Sequence, residues 1–227
     1  MIDYNDLEQF LSEERLDKYL VLADNNKKEA IRLYELNLKY SANLYMVLSC
    51  FEIVLRNLIN REMLKYNADW ILNLSSIDNK IISNLSKMKQ LNIDTVAYYN
   101  KFFKEQEKLI NDAKKSLEDD NKDIDNNYLI SRLNFGFWTR MFNKCYETEI
   151  WNKYLYKIFK KQTRRGYIEA KLNELRRLRN RVAHNECVLN LRHKPIEYFD
   201  LIIELLNNTD VKIIDWINKQ VSRDLFK

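Results

Sequence analysis

Residues 27–66 of the chain read KKEAIRLYELNLKYSANLYMVLSCFEIVLRNLINREMLKY, a stretch that contains neither glycine nor proline. Apolar side chains recur in it at steps of three and four, as from Tyr45 to Leu48 and from Leu55 to Ile59. That spacing is the period of an α-helix. A second apolar row, from Leu44 to Leu58, runs beside the first, and a helix that is apolar on most sides is buried at the centre of a fold. The stretch therefore predicts one long central helix.

The rest of the 227 residues also favours helices. The whole chain has 2 glycines and 1 proline, and β-rich folds need far more of these turn-forming residues. We predict an all-α fold in a single compact domain, with peripheral helices within residues 1–25 and a polar, Asp- and Asn-rich loop at residues 118–127. Helices are expected over Tyr4–Ala23 (one or a pair), Ile77–Leu91, Thr95–Leu117, Phe135–Lys144, Ile150–Phe159, Arg164–His184, Ile196–Leu206 and Val211–Val221, with Pro195 at a helix start.

The positive charge of the chain is concentrated near its C-terminal end. The net charge is +5, but residues 151–194 hold thirteen basic and three acidic side chains, a local charge of +10. Arginine is prominent there, and its planar guanidinium matches phosphate oxygens in pairs. A phosphate-rich partner such as RNA is therefore one hypothesis, and a solvated basic surface is the other. The side chains expected to bind RNA are Arg176, Arg177, Arg181, Arg192 and Lys194.

Cysteine usage and the N-terminal sequence predict a cytoplasmic protein without a membrane segment. The three cysteines are an odd number, which argues against a disulfide framework. Residues 1–6 are polar and acidic, unlike a signal peptide. The longest apolar stretch, Leu44–Leu55, contains Glu52 and is shorter than the roughly 20 residues that span a bilayer.

The strongest candidate for chemistry is His184, one of only 2 histidines. On a helix, Arg177, Asn180, Arg181 and His184 would share one face. Arg179 lies five residues before His184, about 140° around the axis. It would reach the site by its long side chain, or if the helix unwinds near His184.

This group of residues fits proton transfer beside a phosphodiester. Histidine takes or gives a proton near neutral pH, and arginines offset the charge that develops in the transition state. RNA supplies its own 2′-hydroxyl nucleophile, so no metal or cofactor is required. A zinc site at His184, Cys187 and His193, a Cys187 nucleophile, and a calcium loop within residues 118–127 are weaker alternatives, because each lacks part of the expected ligand or catalytic set.

Three segments resemble one known family. The arginine–histidine segment Arg179–His184 fits Arg-x4-His, which resembles the defining motif of the HEPN superfamily. The central stretch ending at Asn57 and the Asn134–Trp138 segment, which is followed by Trp151, look like the central helix and the Phe-Gly-Phe-Trp segment of its abortive-infection (Abi-like) branch. The resemblance implies a helical bundle with a long central helix and a metal-independent endoribonuclease that acts as a defence or toxin effector.

The resemblance also assigns roles to individual residues. Arg179 and His184 match the catalytic pair, and Asn180 matches the polar position between them. Glu52, Arg56 and Asn57 match a supporting Glu-x3-Arg-Asn that faces the same cleft. Many relatives have His-His-Glu-Pro where this chain has His184-Asn185-Glu186-Cys187, so the loop after the pair departs from the pattern. Such segments commonly pair across a dimer, which implies a homodimer, and an antitoxin or a regulatory RNA would restrain it.

Several features of the sequence allow two interpretations. The polar row Ser49, Glu52, Arg56 and Asn60 is either a solvated edge or a buried charged row that anchors the arginine–histidine helix. Phe135, Phe137 and Trp138 are expected in the core rather than as base-stacking residues, and Gly136 marks a close contact or a helix start. The alternative function is a non-catalytic module that binds RNA or an antitoxin through the same basic helix.

Overall fold

The computed structural model describes residues 3–87, 93–160 and 163–226, and its fold is all-α, as predicted. No β-strand occurs in these ranges; one isolated bridge joins Phe159 and Thr209. The α-helices are α1 (Tyr4–Leu11), α2 (Glu13–Leu22), α3 (Lys27–Met63), α4 (Leu74–Ser86), α5 (Ile93–Asp119), α6 (Asn126–Arg132), α7 (Phe135–Arg140), α8 (Arg165–Ala183), α9 (Pro195–Asn207) and α10 (Ile214–Gln220).

The chain divides into two compact units. Unit one consists of the described parts of Met1–Cys50, Arg177–Leu206 and Val211–Lys227. Unit two consists of the described parts of Phe51–Arg176, together with Asn207–Asp210. The division therefore falls within α3 and within α8.

Helix α3 is the long central helix that the sequence predicts, and it is unbroken from Lys27 to Met63. The Asn26 side chain accepts a hydrogen bond from the Glu29 backbone N–H at 3.1 Å, which satisfies one of the free donors at the helix start. In residues 3–87, 93–160 and 163–226, α3 is the one helix with the length and composition to cross a membrane. Within its most apolar window 44% is buried in the protein, and the core helix of a soluble protein meets the same criterion.

Unit one has a core in which the N-terminal helices take part. Helices α1 and α2 form the expected pair and are separated at Ser12, whose φ is 70°. Leu16 and Tyr19 of α2 pack with Ala30 of α3 and with Cys187, which lies beyond α8. The Val188 N–H donates to the buried Asn37 side chain at 2.7 Å, so the segment after α8 is attached to α3.

Unit two is built around buried aromatic side chains. Trp70, Phe137 and Trp138 are fully buried and in contact, which confirms that the Phe-Gly-Phe-Trp segment is core. Gly136 lies at a helix start. The Asn134 side chain caps α7 through the Phe137 N–H at 3.2 Å, and a Cβ at Gly136 would come within 2.9 Å of the Asn134 Oδ1.

The two short aromatic helices expected over Phe135–Lys144 and Ile150–Phe159 differ from prediction. Helix α7 ends at Arg140, and a π-helical turn (Glu147–Trp151) and a 3-10 turn (Leu155–Ile158) replace the second helix. The reason is tertiary packing: Phe142, Trp151 and Phe159 form a mutual ring cluster, and this cluster sets the backbone path more strongly than local helix propensity does.

The remaining helices lie close to their predicted positions. The Ile77–Leu91 prediction corresponds to α4, and its last residues fall outside the described ranges. Helix α5 extends two residues past Leu117, and α10 is shorter than expected. In the loop at 118–127, Asp125 caps α6 through the Tyr128 N–H at 2.7 Å, and Asp120 forms an ion pair with Arg132.

Candidate active site

The candidate site in unit one lies at the C-terminal end of α8. The helix is regular as far as Ala183, and the His184 N–H still donates to the Asn180 carbonyl oxygen at 3.0 Å. His184 is therefore the residue that caps the helix. Arg177, Asn180 and His184 share one face and are exposed. Arg181, the fourth residue that the spacing places on this face, is half-buried.

Arg179 lies on a different side of the same helix. Because α8 remains helical up to His184, the two residues stay about 140° apart around the axis. Local unwinding, one of the two expected routes for Arg179 to reach the site, does not occur. The Arg179 side chain is half-buried and has interaction partners within the described residues.

A tight turn fixes the chain directly after His184. Asn185 has a φ of 54°, its N–H donates to the Val182 oxygen at 3.1 Å, and the Glu186 N–H donates to the Arg181 oxygen at 2.9 Å. This pair of bonds is the Schellman arrangement, which satisfies the last carbonyl groups of a helix. The Arg15 guanidinium adds a bond to the Asn185 carbonyl oxygen at 2.9 Å. The backbone that carries His184 is thus held on both sides of the turn.

Arg181 is partly used within the protein. Its Nη1 lies 3.5 Å from the Cys187 carbonyl oxygen and 3.7 Å from the Glu186 carboxylate, and the side chain is half-buried. Glu186 therefore offsets part of its charge. In contrast to Arg177, Arg181 has a structural function that the sequence alone did not indicate.

The other candidate ligand positions near His184 have structural partners. Cys187 is buried in the core of unit one, where burial first and then the Cys187 thiol raise the pKa of Tyr19 well above its usual value. His193 lies 3.5 Å from the Glu197 carboxylate, and its ring packs on the edge of Tyr198. Within residues 3–87, 93–160 and 163–226, no three His, Cys, Asp or Glu side chains are grouped for a metal.

Two further basic residues of the candidate set precede α9. Arg192 and Lys194 are both exposed. The Lys194 backbone N–H donates to the Glu197 carboxylate at 2.7 Å, so Lys194 occupies the N-cap position and Pro195 the first helical position, as predicted. Their side chains remain available to an anionic partner.

Arg176 belongs to a different part of the structure from the rest of the basic set. It lies in unit two, where it lines a cavity of about 300 Å³ together with residues of α5 and α7. The prediction grouped Arg176 with Arg177 because they adjoin in sequence. Neighbours on a helix point about 100° apart, and that rotation separates their surroundings. The sequence did not indicate this cavity, because its lining residues are spread between Tyr98 and Arg176 and form no local motif.

The polar row on α3 is half-buried, between the two interpretations that the sequence allows. Ser49 donates to the carbonyl oxygen of Tyr45 at 2.8 Å, and the Asn60 Oδ1 accepts from the buried Trp70 indole at 2.9 Å. These two members are therefore structural.

The three residues to which the resemblance assigns a supporting role lie in unit two. Glu52 and Arg56 are each half-buried, and Asn57 is exposed. The Arg56 Nε is buried and has no hydrogen-bond partner among the described residues, whereas Glu52 does have interaction partners.

The family comparison covers most of both units. A family model for Abi-like proteins matches residues 3–190. The chain belongs to the Abi-like family. No curated protein and no solved structure matches it. The Abi-like match begins before α1 and extends past the turn after His184, so it includes Glu52, Asn134–Trp138 and Arg179–His184, which are the segments that carried the resemblance. Arg192 and Lys194 lie beyond it.

Proposed function

We propose that this Abi-like protein is a metal-independent endoribonuclease of the HEPN class that acts in the cytoplasm as an abortive-infection or toxin effector. Family membership supports a role in abortive infection. The observation that carries the catalytic part is the exposed His184, which caps a basic helix beside the exposed Asn180 and Arg177. A group that exchanges protons with a large polymeric substrate must be accessible, and this one is.

The proposed reaction begins at the ribose. The His184 imidazole removes the proton from a 2′-hydroxyl, and the oxygen attacks the adjacent phosphorus. The bond to the 5′-oxygen breaks, and that oxygen takes a proton. The products are a 2′,3′-cyclic phosphate and a 5′-hydroxyl. Arg179, by the family resemblance, offsets negative charge on the phosphate, and Asn180 orients the phosphate or the imidazole.

One imidazole supplies only half of this chemistry. A general base and a general acid act on opposite sides of the phosphorus, and His184 is the exposed one of the two histidines. We therefore propose a homodimer in which His184 of each copy faces one cleft, one as base and one as acid. By the family resemblance we assign Glu52, Arg56 and Asn57 of unit two a supporting role, and we propose that an antitoxin or a regulatory RNA restrains the activity.

The deciding experiment compares three purified proteins on total RNA in EDTA: wild type, His184→Ala and His193→Ala. General acid–base catalysis contributes about 100- to 10,000-fold, so His184→Ala is expected to lose at least about 100-fold in cleavage rate. His193 is the matched control, because it is the only other histidine and pairs with Glu197. End-group analysis is expected to show cyclic phosphate, and circular dichroism checks folding. The Arg179→Ala protein is expected to show a similar loss of cleavage rate to His184→Ala.

Two results would contradict the proposal. Equal cleavage by wild type and His184→Ala would exclude this site. Absence of cleavage, with salt-sensitive RNA retention that His184→Ala leaves unchanged, would favour a binding module that uses the exposed Arg177, Arg192 and Lys194. In that case removal of these charges would lower both the affinity and its salt dependence.

A further inference from the structure

Unit two contains a cavity that the proposed RNA chemistry does not use. It has a volume of about 300 Å³ and lies between α5, α7 and the part of α8 that belongs to unit two. Helix α8 contributes Glu169, Asn173 and Arg176, which share one face at steps of four and three. Helix α5 contributes Tyr98 and Lys101.

The acidic groups of this cavity are already paired. The Glu105 carboxylate accepts from the Arg140 Nη1 at 3.0 Å. Glu169 forms an ion pair with Arg165 and accepts from the Asn143 side-chain amide at 2.9 Å.

Arg140 lines the cavity, but its guanidinium is fully engaged by other groups of the protein. Its Nε donates to the buried Gln106 at 2.8 Å and its Nη2 to the Phe102 carbonyl oxygen at 2.9 Å, while its guanidinium lies 4.4 Å from the Phe102 ring. Together with Glu105 these contacts engage all three nitrogens of the guanidinium.

Two cations of the cavity lack such partners. The Arg176 side chain is half-buried where it lines the cavity, and it forms no ion pair within the residues that the structure describes. Lys101 is exposed and forms no ion pair within the same residues. Because Glu105 and Glu169 are neutralised, the positive charge of Arg176 and Lys101 is uncompensated.

We propose that this cavity binds the phosphate group of a small phosphate monoester, of the size of a nucleoside monophosphate. A guanidinium and an ammonium from two different helices suit a dianion. The volume lies at the lower end of the range for small-molecule sites. Tyr98, which is 51% exposed, lines the cavity and offers an aromatic ring on which a base can stack. The inference does not depend on RNA cleavage.

The test is calorimetric titration of wild-type protein with adenosine 5′-monophosphate, inorganic phosphate and adenosine at constant ionic strength. Saturable binding of the monophosphate, and none of adenosine, is expected. Arg176→Gln and Lys101→Gln are expected to raise its Kd at least about tenfold, as loss of a hydrogen bond to a charged group does. Arg176→Lys, which keeps the charge but loses the planar fork, is expected to fall between wild type and Arg176→Gln.

The matched control is Lys104→Gln. Lys104 lies on the same helix as Lys101 and is exposed, but it does not line the cavity. Its replacement removes one positive charge and is expected to leave the Kd within about twofold, as for surface charges away from a site. Thermal unfolding of each variant checks that the fold is retained.

The remaining outcomes separate the sources of phosphate. Inorganic phosphate that binds as tightly as the monophosphate supports the phosphate site and makes the free anion its ligand. Equal binding of adenosine and the monophosphate would overturn the proposal, as would an equal effect of Lys104→Gln. The proposal would also be overturned if the protein bound an RNA oligonucleotide with a 5′-hydroxyl end but did not bind the monophosphate. Cleavage of RNA by wild type and its loss in His184→Ala are measured separately, so either proposal can fail alone.

Discussion

Asp78 is a carboxyl group in the interior of unit two. Its Oδ1 is buried and has no hydrogen-bond partner among the described residues. Burial raises the pKa of Asp78 to about 7, the Tyr146 hydroxyl lowers it in part, and the charge of Glu107 raises it further. Burial likewise raises the pKa of Tyr146 well above its usual value. The folded state therefore favours the protonated form of Asp78.

This shift predicts that Asp78 makes the protein less stable as the pH rises. The pKa of Asp78 is about 7 in the folded state and 3.8 in the unfolded state. The folded protein therefore has its full stability from this group below pH 3.8, and that stability is lost as the pH rises from 3.8 to about 7. The loss is at most about 4 kcal/mol. Asp78→Asn, which cannot ionise, is expected to gain stability relative to wild type between pH 5 and pH 8. Urea unfolding at both values measures this gain.

The exposed Asp112 of α5 provides the control for that measurement. Asp112→Asn is expected to change the free energy of unfolding by less than about 0.5 kcal/mol at either pH, as surface substitutions do. A stability difference between wild type and Asp78→Asn that is the same at both pH values would show that the carboxyl does not titrate in this range.

Single residues of the candidate site were predictable to the extent that helix geometry determines them. The shared face of Arg177, Asn180 and His184 follows from spacing alone, and α8 has that geometry. The partners of Arg181 were not predictable, because Glu186 and the Cys187 carbonyl reach it only through the turn at Asn185. Asparagine adopts a positive φ at small cost but also fits a helix. Its presence at position 185 therefore did not require a turn there.

At the scale of elements, long helices were predictable and short ones were not. Helices α3 and α8 have uninterrupted helical periodicity, and their ends fell within a few residues of prediction. Between Met141 and Phe159 the chain adopts 3-10 and π-helical turns, because ring packing around Phe142 and Trp151 determines the path there. Short segments gain too little from local hydrogen bonds to resist such packing.

The turn that ends α8 carries a prediction of its own. Asn185 has a φ of 54°, a conformation that glycine adopts without cost and a β-branched residue adopts poorly. Asn185→Gly is expected to raise the free energy of unfolding by about 0.5 kcal/mol, and Asn185→Val to lower it by about 1–2 kcal/mol. Denaturant unfolding measures both changes.

Asn190 supplies the matched control for this turn, because it is exposed in the same segment and its φ is not positive. Asn190→Gly is expected to be neutral or slightly destabilising, since glycine adds entropy to the unfolded chain. Stabilisation by Asn190→Gly as large as that by Asn185→Gly would show that the left-handed conformation is not the cause.

At the scale of the whole molecule, the residues of the positive region at 151–194 are divided between the two units. Arg176 belongs to unit two and the residues from Arg177 onward to unit one. Counting charges along the sequence cannot separate them, because the division depends on which helices each part of α8 packs against. The basic residues therefore serve two proposals, RNA binding in unit one and phosphate binding in unit two.

The proposed dimer makes a prediction that concerns the whole assembly. If His184 of each copy acts in one cleft, a dimer with one His184→Ala chain lacks either its base or its acid. An equal mixture of wild-type and His184→Ala chains, assembled at random, contains wild-type homodimers as about a quarter of all dimers. RNA cleavage is expected to fall to that fraction, whereas independent sites would retain about half.

Mixing with His193→Ala in place of His184→Ala provides the control and is expected to leave the rate at its unmixed value. Sedimentation under the assay conditions measures whether the protein is a dimer. A monomer in sedimentation, or a cleavage rate of one half in the mixture, would contradict a shared cleft. The catalytic role of His184 itself is tested separately by the His184→Ala protein.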